Sequence, residues 1–353
     1  MISISDDIAA DMDGAARNDT KALCRLAFRY TTGDGVPIDL DVAKYYYDRA
    51  ANLGDADAQV SLALLLHSDQ ASEADIQRAL ALYERAAAQG HPDALFNLAV
   101  TYEMGDRVPI DQNKAIRYYE LAAQSGHQGA RFNLANYWRQ RVDPHDQSRA
   151  VSYYSDAAKV GHIGAAFNLA WMYHHGVGVP VDAETALEWY RLAASGGDSE
   201  AALCAAELLL GDGEEPTSAN HEEGVRWLEK AAGAGNAEAQ FNLGLVIDHS
   251  GKDVHEAMVW YSRAAESGHV DALIALAEIY RDGAGSVEPD MALAREFLTR
   301  AVERGSGEAA YELGELCSRG GLGASAVDQA QHWYRKAAEL GYSDETEGKP
   351  RGR

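Results

Sequence analysis

PDALFNLAVTYEMGDRVPIDQNKAIRYYELAAQSGH, residues 92–127, reads as two helices and the turn between them. Ala94, Leu98 and Tyr102 recur at i, i+4 and i+8 and so share one helical face. Gly105 ends that helix by taking the left-handed conformation at no steric cost. DRVPI is a tight loop, and Asp111 stands where the second helix needs an N-cap acceptor. Ala115, Tyr118, Tyr119, Ala122 and Ala123 form the apolar face of the second helix, which Gly126 closes.

The same unit recurs along the chain. A small-residue pair followed by glycine closes it nine times: AANLG, AAAQG, AAQSG, AAKVG, AASGG, AAGAG, AAESG, AVERG and AAELG. The closing glycines are Gly54, Gly90, Gly126, Gly161, Gly196, Gly235, Gly268, Gly305 and Gly341, spaced by 33 to 39 residues. A period of this length is the mark of a stacked repeat array. Alanine at the crossing points lets backbones approach. The paired aromatics of the second helices, such as Tyr118–Tyr119, Tyr153–Tyr154, Trp189–Tyr190 and Trp260–Tyr261, fill the space between hairpins.

The chain therefore reads as all-α: a right-handed α–α superhelix, or solenoid, of about nine helix–turn–helix repeats of about 36 residues. The expected boundaries are 21–55, 56–91, 92–127, 128–162, 163–198, 199–236, 237–269, 270–306 and 307–342. Residues 1–20 are expected to hold a capping helix, because Ile8, Met12 and Ala15–Ala16 have helical spacing. The charged tail 343–353 is expected to be disordered.

AFNLAWMYHHGVGVPVDAETALEWYRLAASG at 166–196 resembles the Sel-1-like repeats, relatives of the tetratricopeptide repeats. LCRLAFRYTTGDGVPIDLDVAKYYYDRAANLG at 23–54 and ALIALAEIYRDGAGSVEPDMALAREFLTRAVERG at 272–305 follow the same pattern. Four units depart from it at the turn: HSDQASEAD, RQRVDPHDQ, GDGEEPTSANHEE and DHSGKD stand where the glycine-containing loop is expected. The resemblance implies a protein-binding scaffold. It also implies two alternatives: a secreted bacterial effector acting on host proteins, and, more remotely, a β-lactamase-like hydrolase. The hydrolase-like members carry paired cysteines within each repeat. Here Cys24, Cys204 and Cys317 fall singly in separate repeats.

Composition narrows the partner. Lys and Arg number 31 against 55 Asp and Glu, a net charge of −24. Phosphate backbones and anionic membranes call for clustered cations, so neither nucleic acid nor a membrane is an expected partner. The acidic N-terminus lacks the pattern of a signal peptide, and the cysteines lack the spacing of a disulfide framework, so the expected address is the cytoplasm. Non-classical secretion fits the same features. No phosphate-binding loop, HExxH or CxxC occurs. No enzymatic activity, cofactor or metal is expected. His91, His127, His162 and His269 follow closing glycines and read as turn residues about one repeat apart, too far from one another to share a metal ion.

First helices line the concave face of such arrays, and one equivalent position there is asparagine four times: Asn97, Asn133, Asn168 and Asn242. Asn is a mediocre helix former, so its reuse points to a specific task. Two remain open: a ladder between adjacent repeats, or a grip on the backbone of a bound peptide. One turn further along lie Phe28, Asn136, Tyr137, Trp171, Met172 and His175, with Trp171 the candidate anchor. Asp271, Glu278, Asp282, Glu308, Glu312 and Glu315 make the last two repeats acidic, which suits a basic ligand segment.

Overall fold

A computed structural model describes residues 6–67, 71–211, 219–251, 253–320 and 324–342. Among them are nineteen α-helices and no strand, with one isolated β-bridge between Ala284 and Val287. The expected tail 343–353, residues 1–5, and parts of three of the irregular loops (68–70, 212–218 and 252) lie outside the described residues.

The chain divides into two compact units, Met1–Asp182 and Ala183–Arg353. The first holds α1 (Asp6–Ala16), α2 (Thr20–Thr32), α3 (Leu40–Asn52), α4 (Ala56–Leu66), α5 (Glu73–Ala87), α6 (Pro92–Met104), α7 (Gln112–Gln124), α8 (Gln128–Arg139), α9 (Pro144–Ala158) and α10 (Ile163–His175). The second holds α11 (Ala183–Ser195), α12 (Ser199–Leu210), α13 (Ala219–Gly233), α14 (Ala237–His249), α15 (Val254–Glu266), α16 (Val270–Asp282), α17 (Met291–Glu303), α18 (Gly307–Gly320) and α19 (Ala324–Glu339). Within each unit every helix packs on the next in sequence.

The helices start and stop for local reasons. Asp111 caps α7, its carboxylate accepting from the Lys114 amide at 3.0 Å. Gly105 ends α6 at φ 68°. In AASGG the left-handed turn falls on Gly197, at φ 101°, rather than on Gly196. Gly197 thus directly precedes the cap Asp198 of α12, as Gly54 precedes the cap Asp55 of α4.

Alanine crossings and buried tyrosines make the core. Ala50, Ala122, Ala157, Ala193, Ala231 and Ala264 are sealed from solvent. In five of the aromatic pairs the second member is buried: Tyr47, Tyr119, Tyr154, Tyr190 and Tyr261. A second recurring tie crosses the repeats. Arg49 and Arg85 donate to the carbonyls of Ala15 and Ala51, at 2.7 and 2.8 Å, near the end of the preceding helix of the same row. Lys230 and Arg300 do the same to Ala194 and Ala265. Each places a cation where the helix dipole and unsatisfied carbonyls favour one.

At the N-terminal end α1 packs on α2. Ile8 is buried, and the Asp11 carboxylate, also buried, receives Arg25 at 2.6 Å and Arg29 at 3.3 Å.

Candidate functional site

The candidate residues Asn97, Asn133, Asn136, Tyr137, Asn168, Trp171 and His175 all lie in the first unit, on α6, α8 and α10. Asn242 lies on α14 in the second.

The equivalent asparagines do not all behave alike. In α8 the Asn133 amide donates to the Tyr119 hydroxyl at 3.0 Å, and that hydroxyl donates to Glu103 at 2.5 Å. The relay joins α6, α7 and α8. Burial, then the Glu103 hydrogen bond, raises the Tyr119 pKa, so the phenol keeps its proton. Arg25 occupies the same position in α2 and meets Asp11 of α1 instead. The position thus faces the preceding helix and often binds it. The half-buried carboxamides of Asn97, Asn168 and Asn242, by contrast, take no hydrogen-bonding partner among the described residues.

One turn further on, the candidates are also committed. Asn136 accepts from the Tyr154 hydroxyl of α9. Tyr137 lies edge-on to Trp138 at 4.9 Å, with the Arg141 guanidinium over its face at 4.9 Å. Trp171 is half-buried: its ring stacks on His175 at 4.4 Å, and the His175 Nδ1–H donates to the Trp171 carbonyl at 2.9 Å. The Arg139 guanidinium lies 5.8 Å from the Trp171 ring.

The most exposed apolar side chains on the first helices of this unit are others. Phe28 is 57% exposed, Leu64 55% and Met104 71%. Phe28 and Leu64 hold the position of Trp171 in α2 and α4, and Met104 lies at the end of α6. Leu64 and Met104 were readable in sequence from the alignment that exposes Trp171, but apolar residues inside an apolar helix carry no label of their own. Beside Phe28 is an open pocket of about 400 Å³, lined by Cys24, Arg25, Arg29, Tyr47, Asp57 and Ser61.

In the second unit Glu312 pairs with Arg281 at 3.2 Å. Burial and then the negative charge of Glu278 push its pKa up to about 7, against the pull of Arg281. Tyr334 donates to Glu315 at 2.7 Å. Burial holds the thiols of Cys24 and Cys204 at about 12 and about 11, helped by Asp55 and Glu207 respectively, so both stay protonated at neutral pH. Among the described residues no three His, Cys, Asp or Glu side chains converge on a metal position. No helix among them is long and apolar enough to cross a membrane.

Helical hairpins of one pattern repeated along a chain define the α-solenoid class. The Sel1 repeat model matches this chain at 20–55, 56–91, 92–127, 129–162, 163–198, 199–236, 237–269, 270–306 and 307–342. The chain belongs to the Sel1 repeat family. It is similar to the crystal structure of a protective antigen present in uropathogenic Escherichia coli strains displaying an SLR fold. That match has a TM-score of 0.83 and 28% identity, over 95% of this chain and 72% of the other. A Sel1 repeat protein from Oxalobacter formigenes matches at a TM-score of 0.64 and 31% identity, over 87% and 90% of the two chains. In sequence, an uncharacterised protein of Neisseria meningitidis serogroup B is 35% identical over 166 residues, 46% of this chain and 34% of that one. Chitin synthase regulatory factor 4 of Schizosaccharomyces pombe is 36% identical over 100 residues, 28% of this chain and 16% of that one. The matches thus span about a third or less of the length of these curated relatives. Sel1 repeat proteins are generally protein-interaction scaffolds.

Proposed function

We propose that this chain is a protein-interaction scaffold, without catalysis of its own, that holds a partner segment against the first-helix face of its first unit. The observation that carries the reading is the exposure of Phe28, Leu64 and Met104 on three successive first helices. Large apolar side chains left in water on one face mark interaction surfaces. Asn97 and Asn168, whose carboxamides take no hydrogen-bonding partner among the described residues, supply donors and acceptors for a bound backbone on α6 and α10. The protonated thiols and the kinship with a factor named as a regulator of an enzyme favour a non-catalytic role.

Affinity capture with the full chain tests this reading. Phe28→Ala with Leu64→Ser should lose the partner, Asn168→Ala should weaken recovery, and an exposed control such as Val259→Ser should retain it. Equal recovery with all four proteins would sink the assignment of the face.

A further inference from the structure

Nine first helices begin on a side-chain acceptor, and at four the acceptor is histidine. Asp19, Asp55, Asp198, Asn236 and Ser306 serve α2, α4, α12, α14 and α18. His91, His127, His162 and His269 serve α6, α8, α10 and α16. They are helix caps, where sequence reading makes them turn residues.

In the first unit three such caps are consecutive. Nδ1 of His91, His127 and His162 accepts from the amides of Ala94, Ala130 and Ala165 at 3.4, 3.1 and 3.1 Å. A backbone N–H can only donate, so Nδ1 carries the lone pair and the ring proton sits on Nε2. That nitrogen faces the preceding repeat: His91 reaches Asp57 of α4 at 2.9 Å, and His127 reaches Asp93 of α6 at 3.5 Å. His162 faces no carboxylate in hydrogen-bonding reach among the described residues. The His127 ring stacks on Phe96 at 4.2 Å and that of His162 on Phe132 at 4.5 Å. In the second unit His269 repeats the arrangement with Glu238 at 2.9 Å and Phe241 at 4.7 Å. One side chain thus holds the start of its own helix and the flank of the helix before it.

The seams α4/α6 and α6/α8 lack the cationic tie found nearer the N-terminus. Where Arg49 and Arg85 bridge to the preceding helix, α7 and α9 carry Leu121 and Asp156. His91 and His127 stand at seams where that bridge is missing, whereas His269 shares its seam with the Arg300–Ala265 bridge.

We propose that His127 makes the seam α6/α8 acid-sensitive, so that mild acidification loosens this part of the array. A second proton, taken from solvent, binds Nδ1, displaces the backbone N–H and puts a positive charge at the positive end of the helix dipole. Asp93, across the seam, opposes the effect. At His127 burial outweighs Asp93, and the pKa lies below the usual histidine value of about 6.5. A lowered folded-state pKa means the stabilisation is complete above about pH 6.5 and is lost as pH falls through the folded value.

Two measurements on the full chain test the device. Imidazole ¹⁵N shifts at about pH 7.5 should report the Nε2–H tautomer at His127. Hydrogen–deuterium exchange, corrected for intrinsic rate, should be roughly fivefold faster in the first turn of α8 at about pH 5.5 than at about pH 7.5, the size of one helix cap. In the variant His127→Asn, which keeps a cap as Asn236 does, the acceleration should vanish. An Nδ1–H tautomer, or the same acceleration in the variant, overturns the proposal.

Discussion

The side-chain amide of Asn133 donates to the hydroxyl of Tyr119 across the boundary between two repeats. Asn97, at the equivalent position one repeat earlier, makes no such bond among the described residues. The two therefore respond differently to truncation. Asn133→Ala should cost about 1 kcal/mol in urea unfolding, the net worth of one hydrogen bond. Asn97→Ala should stay within about 0.5 kcal/mol. Comparable losses at both sites would show that the relay to Glu103 contributes nothing.

Asp11 is the buried carboxylate that Arg25 and Arg29 share. Asp11→Ala leaves Arg29, itself largely buried, with the exposed Asp34 as its one carboxylate among the described residues. The expected loss is about 2 kcal/mol, below the full range for a buried pair because Arg25 is half in water. Hydrogen exchange confined to α1 should rise with it.

Gly178 sits at φ 72°, and its carbonyl receives the Ser148 hydroxyl at 2.8 Å. A Cβ there would meet the Gln147 carbonyl oxygen at 2.7 Å. Gly178→Ala combines a left-handed φ with a backbone clash and should cost about 2 kcal/mol or more, read as a fall in thermal midpoint.

Glu312 gives a pH signature opposite in sign to that of His127. Its folded-state pKa of about 7 is raised above the ordinary carboxylate value. Its contribution is therefore complete below about pH 4.5 and is lost as pH rises through about 7. Glu312→Gln, which retains an acceptor for Arg281, should flatten that fall by an amount of order 1–3 kcal/mol. Unfolding curves between about pH 4.5 and 7.5 measure it; an unchanged slope would remove Glu312 as its source.

The features legible in sequence were those whose cause is local. Gly105 stops α6 and Asp111 starts α7 through conformations and hydrogen bonds only a few residues long. The alanine pairs and second-position tyrosines are buried because helical period alone puts them on the packed face. What escaped was contact between repeats. His127 reads as a turn residue because its partners, Phe96 and Asp93, lie about one repeat earlier. Trp171 is an exception: its partner His175 lies one turn on in the same helix, a local pair that the sequence does show. The Asn series reads as uniform, yet only Asn133 of the four meets a tyrosine hydroxyl. At Asn242 the corresponding residue of α13 is Leu228, which has no hydroxyl to offer.

The cap position of the first helices has a genetic consequence. Aspartate, asparagine and histidine all appear there, at Asp55, Asn236 and His127 among others. All three hold the helix start with the same geometry, and either of the other two is one nucleotide away from aspartate. A lineage carrying this array can therefore give or remove an ionisable ring at any seam capped by Asp, Asn or His by one point mutation, without passing through an uncapped helix. The response of each seam to its surroundings is open to selection separately from the fold.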